Sequence, residues 1–457
     1  MIGGGALPAR RRRGLAVASL LLPGVSWVVT RGVGLPFPPW PPGGVFGTWH
    51  PLVFGFNLGL TYLALLTAGV LWGGDTRQRF GNALLGVIAP GICLLLVELP
   101  ALLGIIDYRD SLNSELDRTP WEGEHNRLDD ELIHIHPPYD RITGRMPGDL
   151  TAFGVEPVRL YEVDYQYDSN GFRNHAEYDS AAVVLSGDSF VEALLTPVER
   201  SVSVRLEERL RRPVYNLGQS NWGPSHQVPA LRRFGLPLEP QTVVWFFFEG
   251  NDLKDVGVYA GTIGNLEERS RRYDRFTRRS FVRNVLWLAA LMTNRDDRME
   301  RRRSCELTRP PSEGPGRLYF LYAGEPLTAH DDSLLQAAQR EILVARAETE
   351  AAGAVFVLAF VPTKFRVYAD LCEWTEQSDL AGWVRNDLPA RMAAFAERQD
   401  MLFLDLTEPL RAASEAGALT YFEDDTHWTP AGHDVVADAV ARLLSGRATP
   451  PAGPDGR

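Results

Sequence analysis

The chain has 457 residues, 45% of them apolar, enough to bury a sizeable core in two or three domains. Its net charge of −11 argues against nucleic acid as the main partner. Three cysteines are too few for a disulfide framework or a cysteine-rich zinc site, and no histidine pair has the spacing of H-E-x-x-H, so no metal or cofactor is expected.

Residues 14–30 form an uncharged run between Arg13 and Arg31, at the lower limit for a membrane-spanning helix. A basic segment before a short apolar run is also the pattern of a signal peptide. Two further runs, 52–72 and 82–106, have full spanning length and favour a membrane anchor of three transmembrane helices over residues 1–106. Arg10, Arg11, Arg12 and Arg13 precede the first run, and Arg77 and Arg79 separate the second and third, whereas the loop between the first two has only Arg31 at its edge. Positive-inside bias then puts the N-terminus in the cytoplasm and everything after Ile106 outside. Glu98, inside the third run, falls near the outer interface, where snorkelling accounts for it.

Residues 107–179 read as a polar juxtamembrane subdomain with a strand near 159–168 and a turn at Asn170-Gly171. His134 and His136 read as solvated loop residues rather than metal ligands. After residue 180, apolar runs at 181–185, 214–217, 242–248, 354–361 and 402–406 alternate with helical patterns near 197–211, 225–234, 334–351, 386–399 and 430–445. Fully apolar strands alternating with helices imply an α/β domain, a three-layer, doubly wound, flavodoxin-like parallel sheet over 180–446. An insertion at about 253–320 contains an arginine-rich stretch, 269–303, around the apolar run 281–292. Such a segment can lie on anionic lipid or line a groove for an acidic polymer, but a helical cap with its apolar face on the domain is the preferred reading. The tail, 447–457, is expected to be disordered.

In an open parallel sheet, reactive groups gather at the carboxyl ends of the strands. The first strand runs into Gly187-Asp188-Ser189-Phe190, the second ends at Asn216-Leu217-Gly218, the third at Gly250-Asn251-Asp252, and Asp424-Asp425-Thr426-His427-Trp428 stands before the last helix. Singly each is weak, and Ser189 alone would read as a helix cap. Together they resemble the SGNH (GDSL-type) hydrolases, over roughly 180–446. The G-x-S-x-G elbow of the α/β-hydrolases is absent.

The resemblance implies a serine esterase or O-acyltransferase. Ser189 would be the nucleophile, His427 its base and Asp424 the aspartate that orients His427, with backbone N–H groups of Ser189 and Gly218 and the amide of Asn251 as oxyanion hole. Asp425 is the rival to Asp424, and the family's D-x-x-H spacing favours Asp424. The His-Trp pair leading to a glycine, and more loosely Pro362-Thr363-Lys364 with Tyr368, resemble SGNH-type O-acetyltransferases of extracytoplasmic polysaccharides. Trp428 is then a candidate acceptor contact. Three helices are too few for an acyl-donor transporter, so a separate membrane protein would supply acyl groups. From another class, a catalytically silent SGNH module that binds glycan is the alternative, opposed by the intact motif residues. A Cys305–Cys372 disulfide is permitted outside the cytoplasm and left open, with Cys93 inside the third run.

Overall fold

The structure is a computed structural model that describes residues 8–33, 45–46, 48–72, 76–112, 125–153, 155, 159–266, 276–293, 302–309, 316–374 and 376–446. The tail, Trp121 and much of the arginine-rich stretch lie outside the described residues. The chain forms two compact units, Met1–Arg118 with Glu267–Arg295, and Thr119–Leu266 with Asp296–Arg457.

The first unit holds three long apolar helices, Ala9–Val29, Pro51–Leu71 and Thr76–Leu102, which are candidate membrane spans. The third begins six residues earlier than the sequence suggested and takes Arg77 and Arg79 into its first turns. Small polar groups tie the helices together: Ser26 donates to Asn57 Oδ1 at 2.6 Å, Asn57 Nδ2 to Thr30 Oγ1 at 2.9 Å, and the Tyr62 hydroxyl to the Gly86 carbonyl at 2.6 Å. Such bonds suit an apolar surround, where packing and interhelical hydrogen bonds replace the hydrophobic drive.

The second unit is built on five parallel strands, β1 (Val183–Gly187), β2 (Val214–Gly218), β3 (Thr242–Phe248), β4 (Val355–Val361) and β5 (Leu402–Asp405), in the order β2-β1-β3-β4-β5. This SGNH-like arrangement is the doubly wound order 2-1-3-4-5, whose switch point lies between β1 and β3. The sequence TVVWFFF of β3 explains the layering, because successive side chains point to opposite faces. Val243, Trp245 and Phe247 join one core with Leu388, Met392 and Phe395 of helix Leu388–Arg398. Val244, Phe246 and Phe248 join the other with Leu206 of helix Val202–Leu210 and Val436 and Val440 of helix Pro430–Ser445.

Helices Asp252–Ile263 and Thr407–Glu415 were not anticipated. The glycines of the first and the proline of the second blur their periodicity. The stretch 253–320 divides between the two units: Asp252–Ile263 belongs to the second, whereas helix Phe281–Thr293 belongs to the first, with the three long apolar helices. The stretch expected as a juxtamembrane subdomain, 107–179, divides at Arg118 between the two units, and in the second Arg141–Pro147 pairs antiparallel with Leu160–Gln166. Cys305 and Cys372 are joined by a disulfide, with Cα atoms 5.6 Å apart.

Candidate active site

Ser189 opens the short helix Ser189–Glu192 directly after β1. It is not the cap, because Asp188 accepts from the Phe190 N–H at 3.0 Å and leaves the serine hydroxyl free for other work. His427 Nε2 lies 2.7 Å from Ser189 Oγ, and His427 Nδ1 lies 2.7 Å from Asp425 Oδ1. This is the hydrogen-bonded order nucleophile, base, orienting carboxylate.

The orienting position is therefore held by Asp425 and not by Asp424. Asp425 Oδ1 also accepts the His427 backbone N–H at 2.8 Å, an i to i+2 turn that brings the carboxylate back onto the ring of the residue it caps. Asp424 points elsewhere, accepting from the Tyr161 hydroxyl at 2.5 Å.

Gly218 also departs from its expected role. Its N–H donates to Asn216 Oδ1 at 2.8 Å and is already committed. The glycine is needed for close packing, since a Cβ there would meet the Glu192 backbone nitrogen at 2.4 Å, under the nucleophile's helix. Asn251, after β3, is the N-cap residue of Asp252–Ile263 but makes no side-chain cap bond, and its Oδ1 is buried without a partner. Among the described residues no hydrogen bond uses its Nδ2, the atom that would donate to an oxyanion. Trp428 is 0% exposed, packed 4.8 Å from Phe190 and 5.4 Å from His433, so it offers no face to a sugar.

Several contributors, Lys364 of the Pro362-Thr363-Lys364 run excepted, lie outside the recognised motifs. The Asp149 N–H donates to Asp425 Oδ2 at 2.8 Å, and its carboxylate accepts the Thr426 N–H at 2.9 Å and hydroxyl at 2.5 Å, clamping the loop that carries the base. Buried Lys364, its Nζ 2.9 Å from the Tyr319 carbonyl, adds a positive charge near Asp149, Asp424 and Asp425; burial lowers its pKa to about 8. On the nucleophile's helix, Glu192 accepts from Tyr167 at 2.8 Å and from the Ser220 N–H at 2.6 Å, with His136 Nε2 at 3.3 Å. Burial opposes its charge, but these partners hold its pKa at about 2. Arg173 donates to the carbonyls of Glu192, Ala193 and Thr196. His136 and His134 are consequently buried structural residues, not solvated ones. A bare Gly148-Asp149 or a lone arginine gives no local signal in sequence. Among the described residues the one grouping with metal-ligand proximity is Asp149, Asp425 and His427, and these same groups are occupied with Thr426, Ser189 and one another.

Electrostatics tune the base. Burial pushes the His427 pKa down, but Asp425, then Asp149 and Asp188, outweigh it and raise it to about 9. Asp425 stays ionised, its pKa lowered to about 2 against desolvation by His427, whereas burial and the Asp425 charge raise Asp149 to about 7. Only neutral imidazole can accept the serine proton, so kcat/KM for an ester should climb about tenfold per pH unit from pH 6 to 8 and level off above about 9. A plateau already reached at pH 7.5 would contradict this. Stability should run the other way. A raised histidine pKa stabilises fully below the unfolded value of 6.5, and that contribution is lost as pH rises through about 9. Thermal melts from pH 6 to 10 check the sign.

Part of the chain is similar to known proteins. Residues 315–455 match the family described as "SGNH hydrolase-like domain, acetyltransferase AlgX". A "Probable alginate O-acetylase AlgJ" of Pseudomonas fluorescens is 28% identical over 132 residues, covering 28% of this chain and 32% of that protein. The protein of the same description from Pseudomonas putida is 32% identical over 132 residues, 28% of this chain and 33% of that one. The chain thus spans about a third of the length of these relatives. Among solved structures, an acetyl xylan esterase, AlAXEase, aligns with 57% of this chain and 98% of its own at 12% identity and a TM-score of 0.32. Residues 315–455 are thus similar to an SGNH hydrolase-like domain, and they contribute the last two strands of the five-stranded parallel sheet.

Proposed function

We propose that the chain is a membrane-anchored SGNH-type enzyme that moves O-acetyl groups on extracytoplasmic glycans through an acyl-serine intermediate. The hydrogen-bonded order Ser189, His427, Asp425 carries this reading. Ser189 Oγ attacks the acyl carbonyl of the donor while His427 takes its proton, and the donor's acyl bond breaks as His427 returns that proton to the leaving group. A glycan hydroxyl, or water, then gives its proton to His427 and attacks the acyl-serine carbonyl, and Ser189 regains its proton. The oxyanion donors are the Ser189 N–H and the Asn251 amide. In place of Gly218, the third is the Asn221 N–H, in the loop after β2, where a positive φ of 63° turns the backbone and no described hydrogen bond uses the group.

Transfer is favoured over hydrolysis by the acetyltransferase and O-acetylase relatives, not by Trp428. A cleft of about 450 Å³ lined by Gly250, Lys254, Tyr322, Thr363 and Arg366 adjoins Asn251 in sequence and offers room for an acceptor. A separate membrane protein would supply the acyl group. The Cys305–Cys372 pairing supports an oxidising compartment, with the N-terminus in the cytoplasm. The test is incubation of the purified full chain in detergent with an aryl acetate and candidate oligosaccharides, followed by mass analysis. Acetyl groups gained by sugar identify a transferase; free acetate alone identifies an esterase. No turnover in either arm would favour the silent glycan-binding module.

A further inference from the structure

Within the first unit, Glu98 is not merely snorkelling. Its carboxylate accepts from the Ser280 hydroxyl at 2.9 Å, the Phe281 N–H at 3.1 Å and the Val282 N–H at 2.8 Å. These are the opening groups of helix Phe281–Thr293, whose first N–H groups have no partner inside the helix. A carboxylate among apolar side chains and unpaired helix N–H groups are each costly, and here they satisfy one another.

Other contacts fix the depth of this helix. A Cβ at Gly55 would meet Leu286 Cδ1 at 3.1 Å, the Phe46 N–H donates to Thr293 Oγ1 at 2.9 Å, and the rings of Tyr108 and Phe281 lie 5.2 Å apart. Tyr62 with Gly86, and Arg79 with Gly69, show that the second and third long helices run antiparallel. The start of one and the end of the other therefore share one side. Gly55 is four residues after Pro51 and Glu98 four before Leu102, so both lie about 6 Å inside the helix ends. The 13-residue helix is about 20 Å long, too short to cross a hydrocarbon core of about 30 Å. Its face opposite the buried Asn284, Trp287 and Ala290 is apolar: Val282 is 39%, Val285 38% and Met292 66% exposed.

We infer that Phe281–Thr293 is a fourth membrane element, an interfacial helix set into the bilayer beside the spans, pinned by Glu98, with Val282, Val285 and Met292 against lipid. The inference rests on reading the three long helices as spans. By charge bias, it lies at the outer face.

The test uses the full chain with Cys93→Ser, reconstituted in phosphatidylcholine vesicles with or without brominated acyl chains. A fluorophore is placed at Val285→Cys or Met292→Cys, with Leu96→Cys as span control and Val384→Cys as control in the second unit. Quenching at 285 and 292 should come within about twofold of the Leu96 control, while Val384 is unaffected. Quenching at Leu96 but at neither 285 nor 292 overturns this inference alone, and leaves a face covered by protein or water. No quenching even at Leu96 sinks the span reading itself. Glu98→Ala should weaken quenching at Met292 and speed tryptic cleavage after Arg278 or Arg279 by about tenfold, with Glu98→Gln between the two. Wild-type values in Glu98→Ala would remove Glu98 as the pin.

Discussion

Replacing Ser189 with alanine is expected to lower ester turnover by about 10⁵-fold or more, and His427→Ala by a similar factor, because nucleophile and base act as one unit. The two variants should differ in stability. In Ser189→Ala the Asp425–His427 hydrogen bond survives, so the melting temperature should barely move. In His427→Ala, Asp425 Oδ1 keeps the backbone N–H but loses the ring, leaving a buried carboxylate short of a partner. A measurable drop in melting temperature should follow. Combining both substitutions should cost little more activity than either alone. Circular dichroism and a turnover assay on each variant suffice, and Ser189→Ala retaining more than about 1% of activity would remove Ser189 as nucleophile.

The second large effect separates two neighbouring aspartates. Asp425→Asn should reduce kcat by about 10⁴-fold, because an amide can present its NH2 to Nδ1 and leave the imidazole in the wrong tautomer. With its main raising partner gone, His427 should also titrate at lower pH, so the residual activity should level off earlier. Asp424→Asn keeps an acceptor for the Tyr161 hydroxyl and should cost no more than about tenfold. Equal losses from the two variants, or a larger loss from Asp424→Asn, would reverse the assignment. Tyr161→Phe tests the same point from the other side, and should resemble Asp424→Asn.

Legibility in the sequence followed interaction range. That Ser189 and His427 meet was readable because each sits in a compact motif whose chemistry demands that residue type. The choice between Asp424 and Asp425 was not readable from a family spacing, since it turns on an i to i+2 backbone turn and on Tyr161, 263 residues away in the chain. Gly218 must be glycine for packing, while its N–H is taken by Asn216. Only the packing under Ser189–Glu192 and the Asn216 side chain reveal what the glycine is for. Trp428 looked like a sugar platform because tryptophans often are. Burial is a property of neighbours, here Phe190, Phe246 and His433.

By itself the sequence determined the three apolar helices and the five parallel strands, because these depend on local length, hydropathy and periodicity. The tertiary structure decided which carboxylate meets His427, how Asp149, Glu192, Arg173 and Lys364 brace the site, and that helix Phe281–Thr293 joins the apolar helices rather than the second unit. Each of these rests on a polar group finding its partner across a long stretch of chain. Which partner it finds depends on the cost of leaving a buried donor, acceptor or charge unpaired in the folded chain, and no window of sequence contains both ends of that choice.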